Sequence, residues 1–242
     1  MINRILLFTV LILTFLKFTS LAFTNFDLFG DEAQYWVWSK SPDFGYFSKP
    51  PFLAWFIGIY TSIFGNFFFV LKLLPLTVYF FTAFAIYNLS KNLGLKHAEA
   101  FSCSLVFLFI PAVSFSTFFI STDVFLLLFW TLSLNQLLRI KKNQDIGGFI
   151  LLGIFIGLAF LSKYAAVYFV ICLFVYILVD KTFRTFFLTH YFKFALTIIC
   201  SLVILLPNII WNINNDWVTL QHTADNTNLG NLNLNLFRGL EF

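Results

Sequence analysis

Apolar residues in this chain fall into long unbroken runs separated by short polar loops. Runs close to the roughly 20 residues that cross a bilayer core occupy 4–23, 68–90, 98–118 and 122–140. Shorter runs follow at 147–162 and 164–180, then a long one at 191–211. Residues 51–64, PFLAWFIGIYTSIF, are apolar but too short to cross, and they begin at Pro50-Pro51. That length suits an interfacial or re-entrant helix. The pattern predicts an all-α polytopic membrane protein, a single domain over 1–242. It should have about seven transmembrane helices, with interfacial helices in a first outer loop at 24–67.

Composition agrees. Of 242 residues, 60% are hydrophobic, 11% are charged and 37 are Phe, with a mean hydropathy of +0.88. A water-soluble fold needs a mostly polar exterior, which this chain cannot supply. The formal charge of +4 is therefore no sign of nucleic-acid binding; where the charges sit matters more. With the N-terminus inside, the inner loops and terminus hold Arg4, Lys91, Lys96, Arg139, Lys141, Lys142, Lys181, Arg184 and Lys193. The outer loops hold Lys40, Lys49, Lys163 and Arg238. This bias fixes the orientation by the positive-inside rule. It also gathers Asp27, Asp31, Glu32, Asp43, Asp123, Asp216, Asp225 and Glu241 on the outer face.

Two features are set aside on chemical grounds. MINRILLFTVLILTFLKFTSLAF has the basic start and apolar stretch of a signal peptide. However, Lys17 interrupts the run and the cleavage signature is poor, so the expectation is a retained first span. Cys103, Cys172 and Cys200 lie inside apolar runs without metal-type spacing. They read as small core- or lipid-facing residues.

The polar exceptions carry the candidate chemistry. In DEAQYWVWSKSPDFGYFSKPP, residues 31–51, five charged groups stand in one aromatic-rich loop. An interfacial amphipathic helix would explain Tyr35, Trp36 and Trp38. It explains Asp31-Glu32 only through a helix-dipole contribution of about 0.3–1 kcal/mol. A carboxylate site at the membrane boundary explains both. Asp123 opens the fourth span after Ser121-Thr122, as a site residue or beside a simple helix cap. Lys163, between two apolar runs, is either a snorkelling side chain or a cation with a partner, the default for an ionisable group at membrane depth. The seventh span ends in LLPNIIWNINNDWVTLQHTADN, which also reads as a polar turn with an interfacial tryptophan belt.

Taken in order, DEAQYWVWSKSPDFGYFSKPPFLAW, STDVFLLLFW, GLAFLSKYAAV and PNIIWNINNDWVTLQHT resemble the signatures of the bacterial dolichyl-phosphate-mannose-protein mannosyltransferase-like family. That family includes the aminoarabinose transferase that modifies lipid A. The resemblance covers nearly all of 25–242 and implies a GT-C-fold glycosyltransferase. Its members are generally about twice this length, so the expectation is an N-terminal half, continued by further spans. The resemblance implies a polyprenyl-phosphate sugar donor and a glycan, lipid A or protein acceptor. It places the site on the periplasmic face of a bacterial cytoplasmic (inner) membrane, with the N-terminus cytoplasmic.

By the same resemblance Asp31 is the general base, and Glu32 orients it or binds the acceptor. Asp123 joins the catalytic carboxylates. Lys49 and Lys163 meet the lipid phosphate, and Tyr46 and His222 contact the acceptor or support the site. Single displacement would invert the anomeric centre. Some relatives carry an acidic residue before the lysine of the G-Y-F segment, where it helps bind a metal. Here that residue is Ser48, so a divalent metal is not expected to be required. Two other classes stand beside this one: a lipid or polysaccharide transporter or flippase, and a non-catalytic membrane protein fragment. A transporter usually has internal repeats and charges near the midplane; these charges sit at one face.

Overall fold

The computed structural model describes residues 27–226, together with Phe8, Ile12, residues 15–20 and Phe23. The expected first span, 4–23, thus lies largely outside the described residues, as do Arg238 and Glu241. Among the described residues every regular element is helical. They are α1 (Gly30–Trp38), α2 (Phe52–Phe64), α3 (Phe68–Asn92), α4 (His97–Phe109) and α5 (Pro111–Ser116), then α6 (Thr122–Asn143) and α7 (Ile146–Ser162). A 3-10 turn (Tyr164–Ala166) leads to α8 (Val167–Val179), α9 (Lys181–Thr189), α10 (Tyr191–Asn214) and α11 (Val218–Asn226).

The expected spans at 68–90, 122–140 and 191–211 appear as α3, α6 and α10, each long and apolar enough to cross a membrane. The span expected at 98–118 is broken. Ile110, with ψ near 125°, separates α4 from α5, and Pro111 follows it. Proline lacks an N–H and disfavours helical geometry in the residue before it, so the run cannot continue straight. A second break falls at Asp180. Its carboxylate accepts from the Phe183 N–H and caps α9, and α9 turns by 105° from the axis of the preceding segment. What the sequence offered as an inner loop at 180–193 is therefore almost wholly helical, in α9 and the start of α10, with α9 docked through the fully buried Phe183.

Helix packing follows side-chain size. On α7, Gly153 and Gly157 lie one turn apart and face α10. A Cβ at Gly153 would meet the Thr197 carbonyl and Cys200, and one at Gly157 would come within 2.9 Å of Ile204. Small residues at this spacing let two membrane helices approach closely, so dispersion and packing can hold them. Large hydrophobic side chains such as Phe80, Phe81, Phe84, Ile171 and Phe174 point outward. That is the reverse of a soluble protein, and it suits a lipid environment. The chain is an all-α multi-pass membrane protein.

Two apolar clusters hold the bundle. One joins Tyr35 of α1, Leu53 and Ile57 of α2, Leu74, Val78 and Tyr79 of α3, Ile120, and Val124 and Phe125 of α6. The other joins Ile140, Phe149, Phe183 and Phe194. The first cluster seats both loop helices on the beginnings of α3 and α6, and this places the polar groups described next.

Candidate active site

The adjacent acids of α1 part company. Successive helical residues point about 100° apart. Glu32 faces inward at 2% exposure, whereas Asp31 is exposed. Glu32 Oε2 accepts from Lys72 Nζ at 2.6 Å and from the Phe29 N–H at 2.9 Å. Its Oε1 accepts from the Ile120 N–H at 2.7 Å. Lys72, on α3, is 3% exposed and also donates to the Phe118 carbonyl at 3.3 Å. The rings of Phe29, Phe68 and Phe119 each lie 5.6 Å from its Nζ. Removing one partner of such a buried pair costs about 3–5 kcal/mol, because the other charge is stranded. Glu32 is thus a joint between α1, α3 and residues 118–120. At this burial, with both oxygens engaged, it has no face left for an acceptor.

Lys72 was missed in the sequence because it stands inside an apolar run. A charge there is itself the signal that should have raised it.

Asp123 begins α6 three residues beyond Ile120 and meets Lys163 across the bundle. Lys163 Nζ donates to both carboxylate oxygens, at 2.7 and 2.9 Å. Both side chains remain partly open, at 35% for Lys163 and 49% for Asp123. The alternative of a side-chain cap from Ser121 is not realised, and Lys163 is a partnered cation instead of a snorkelling one. Tyr35 of α1 lies close enough to feel the charge of Asp123. Burial pushes its hydroxyl well above the usual tyrosine range, and the charges of Asp31 and Asp123 push it further. Asp31, Glu32, Asp123 and Lys163 therefore gather at one end of the bundle.

The loop between α1 and α2 is clasped by the far end of α10. Asp43 Oδ2 accepts from the Trp211 indole at 2.9 Å, and the Asp43 carbonyl accepts from the Trp55 indole at 2.7 Å. Asn208 donates to the Phe44 carbonyl at 2.7 Å and accepts from the Tyr164 hydroxyl at 2.9 Å. Thr219, fully buried, donates to the Tyr46 carbonyl at 2.6 Å. Gly45 has no side chain because the Trp211 ring lies where a Cβ would be. The motifs DFGYF and PNIIWNINNDW, far apart in sequence, are two halves of one packed unit. The aromatic residue at 211 is a clasp and not merely part of a membrane-boundary belt.

This clasp sets Tyr46 and Lys49. The Tyr46 ring stacks on Trp38 at 4.5 Å, and its hydroxyl donates to the Trp38 carbonyl at 3.1 Å while accepting from the Asp43 N–H. At 7% exposure it supports the loop and is not open to an acceptor. Lys49 emerges half-buried between buried Ser48 and buried Pro50. Among the described residues it has no hydrogen-bond or ion-pair partner. Phe52, just beyond it, packs its ring on Phe125 and Phe129 of α6 at 5.1 Å each. His222 on α11 meets the Phe47 ring edge-on at 4.8 Å.

Among the described residues no three His, Cys, Asp or Glu side chains come together as a metal site would need. Ser48 and His222 do not supply a donor set that fits such an ion. An apolar cavity of about 300 Å³ lies between α3, α6 and α8, lined by Leu89, Trp130, Leu134, Phe169 and Tyr176 among others. None of the candidate site residues above lines it, so it is separate from this site.

A multi-pass helical bundle with carboxylates and lysines assembled at one end defines a class of integral-membrane proteins. The chain belongs to the dolichyl-phosphate-mannose-protein mannosyltransferase family, which it matches over residues 48–211. It is 33% identical over 237 residues to the lipid A galacturonosyltransferase RgtD of Rhizobium johnstonii, an alignment covering 98% of this chain and 49% of that protein. The chain spans about half the length of this curated relative. No solved structure matches it. The family match takes in Lys49, Asp123 and Lys163; Asp31 and Glu32 precede it.

Proposed function

We propose that the chain forms the catalytic end of a membrane glycosyltransferase. The enzyme moves a sugar from a polyprenyl-phosphate donor to a hydroxyl or phosphate acceptor at the outer face of a bacterial cytoplasmic membrane. One observation carries the reading: exposed Asp31, the half-open Asp123–Lys163 pair and unpartnered Lys49 lie at the same end of the bundle. A hydroxyl is a poor nucleophile at neutral pH. In this reading Asp31 takes its proton as the oxygen attacks the anomeric carbon. The bond from that carbon to the phosphate oxygen breaks, the phosphate leaves with the electron pair, and the anomeric centre inverts.

The leaving phosphate gathers negative charge and needs a fixed cation in a low-dielectric site. Lys49 fits this better than Lys163, whose charge is already matched by both oxygens of Asp123. Lys163 and Asp123 then act as a neutral pair that holds the start of α6 against the end of α7. The similarity to a lipid A galacturonosyltransferase makes lipid A the favoured acceptor and a uronic sugar the favoured cargo.

The test is a deletion strain whose lipid A and lipid-linked sugars are analysed by mass spectrometry, complemented with parent or Asp31→Asn genes. The deletion should remove one glycosyl substituent and accumulate its lipid-linked donor. Asp31→Asn should reduce transfer by at least about 10²-fold, the low end for a general base, at unchanged membrane abundance. Normal lipid A from the Asp31→Asn strain would remove the assignment of the base.

A further inference from the structure

We propose that Lys72 and Glu32 are a positioning pair that sets where the base Asp31 stands relative to the Asp123–Lys163 pair; the inference rests on the glycosyltransferase reading above. Three segments meet at one carboxylate. Through Oε2, Glu32 accepts from the main-chain N–H of Phe29, closing the first turn of α1, in which Asp31 lies. Through Oε1, it accepts from Ile120, three residues before Asp123. Lys72 holds that carboxylate from α3 and reaches the Phe118 carbonyl of the same incoming segment. On one side of the joint is thus Asp31, the proposed base, and on the other Asp123, which with Lys163 anchors α6; neither touches Lys72.

The joint is directional. Two of the three N–H donors at Glu32 belong to the main chain, so an anion is required at position 32 and a cation at 72. Exchanging the two residues would point a lysine at two N–H groups. A generic ion pair would survive the exchange; this one should not. Aromatic packing seals it, since the Phe29 and Phe119 rings lie 5.1 Å apart beside the Lys72 ammonium. That contact also supplies a probe outside the proposed chemistry.

The test uses the full protein in lipid nanodiscs, with Cys103, Cys172 and Cys200 replaced by Ala and Phe29→Cys/Phe119→Cys introduced. A short bifunctional thiol reagent should cross-link this pair efficiently in the parent background. Lys72→Met should lower the cross-linking yield several-fold, and Lys72→Arg should restore most of it. In the same backgrounds without the probe cysteines, Lys72→Met should lower kcat by about 10²-fold, the loss that a misplacement of about 1 Å can cause. Donor KM should change little because Lys49 is untouched, and Lys72→Arg should recover kcat. The Glu32→Lys/Lys72→Glu exchange should recover neither readout.

Unchanged cross-linking in Lys72→Met overturns the proposal. So does recovery of both readouts by the exchange, and so does lost cross-linking with full kcat while Asp31→Asn remains inactive. Full activity in Asp31→Asn itself would instead locate the failure in the functional reading, while the cross-linking arm would still report on the joint.

Discussion

Two acids side by side in a sequence look alike, and here they have opposite surroundings. Asp31 stands free at the boundary, while Glu32 is sealed among N–H donors and aromatic rings. Only the helical turn between them separates an exposed carboxylate from one engaged by three donors. Lys49 differs from the other lysines at this end in a similar way: Lys72 and Lys163 have carboxylate partners, and Lys49 has none among the described residues. Lys49→Ala should therefore raise donor KM and lower kcat, and Lys49→Arg should keep part of the activity because the charge survives in altered donor geometry. Titration of a lipid-phosphate sugar in neutral detergent measures this. Unchanged KM and kcat would reduce Lys49 to a headgroup anchor of about 1 kcal/mol. At this scale the sequence alone made Asp31, Lys49, Asp123 and Lys163 stand out, because charge in an apolar chain is rare. It gave no access to the partners. The Asp123–Lys163 and Glu32–Lys72 contacts each join residues 40 positions apart, and no local pattern encodes such a meeting.

Among the elements, the long spans were legible from length and hydropathy alone, and the breaks were legible only in part. Pro111 is visible in the sequence, yet an apolar run continues through it, so hydropathy merged α4 and α5. Asp180 closed the apolar run 164–180 in the sequence, and hydropathy did not show that its carboxylate caps the next helix. The clasp between the first loop and α10 was hidden for another reason: apart from Asp43 it uses Gly, Asn, Trp and Thr, none of which stands out by charge. Gly45 offers the sharpest test. Gly45→Val would drive a side chain into the Trp211 ring. Overpacking of this kind costs about 1–3 kcal/mol, read as a lower unfolding temperature in detergent and reduced transfer. Gly30→Ala, with nothing within 4 Å of the added Cβ, should leave the unfolding temperature unchanged. Equal stability of both variants would mean that the loop is not held by Trp211.

For the whole molecule, the two ends differ in chemistry. One end carries Asp31, Asp43, Asp123 and Asp216; the other carries Lys91, Arg139, Lys141, Lys142 and Lys193. From the positive-inside rule we propose that the second end faces the cytoplasm. Ser41→Cys and Asn143→Cys, both at exposed positions, test the assignment in a cysteine-free background. An impermeant thiol reagent should label Ser41→Cys in cells with an opened outer membrane, and Asn143→Cys only after the inner membrane is broken. The reverse pattern would place the acidic end in the cytoplasm and remove the outer-face reaction.

That orientation gives the length of α7 a further meaning. Its 17 residues span only about 25 Å, against a hydrocarbon layer of about 30 Å. Asp145 caps the helix; in the proposed orientation, with that cap at the cytoplasmic boundary, Lys163 at the other end would stop several ångströms short of the opposite headgroups. Asp123, bound to Lys163, would be drawn down with it. In that orientation the acidic end would form a depression in the membrane surface, with its floor below the phosphate plane. A polyprenyl donor could enter from the side with its tail still among the acyl chains. A water-borne acceptor would have to descend to meet it, which favours acceptors that are themselves anchored in the leaflet.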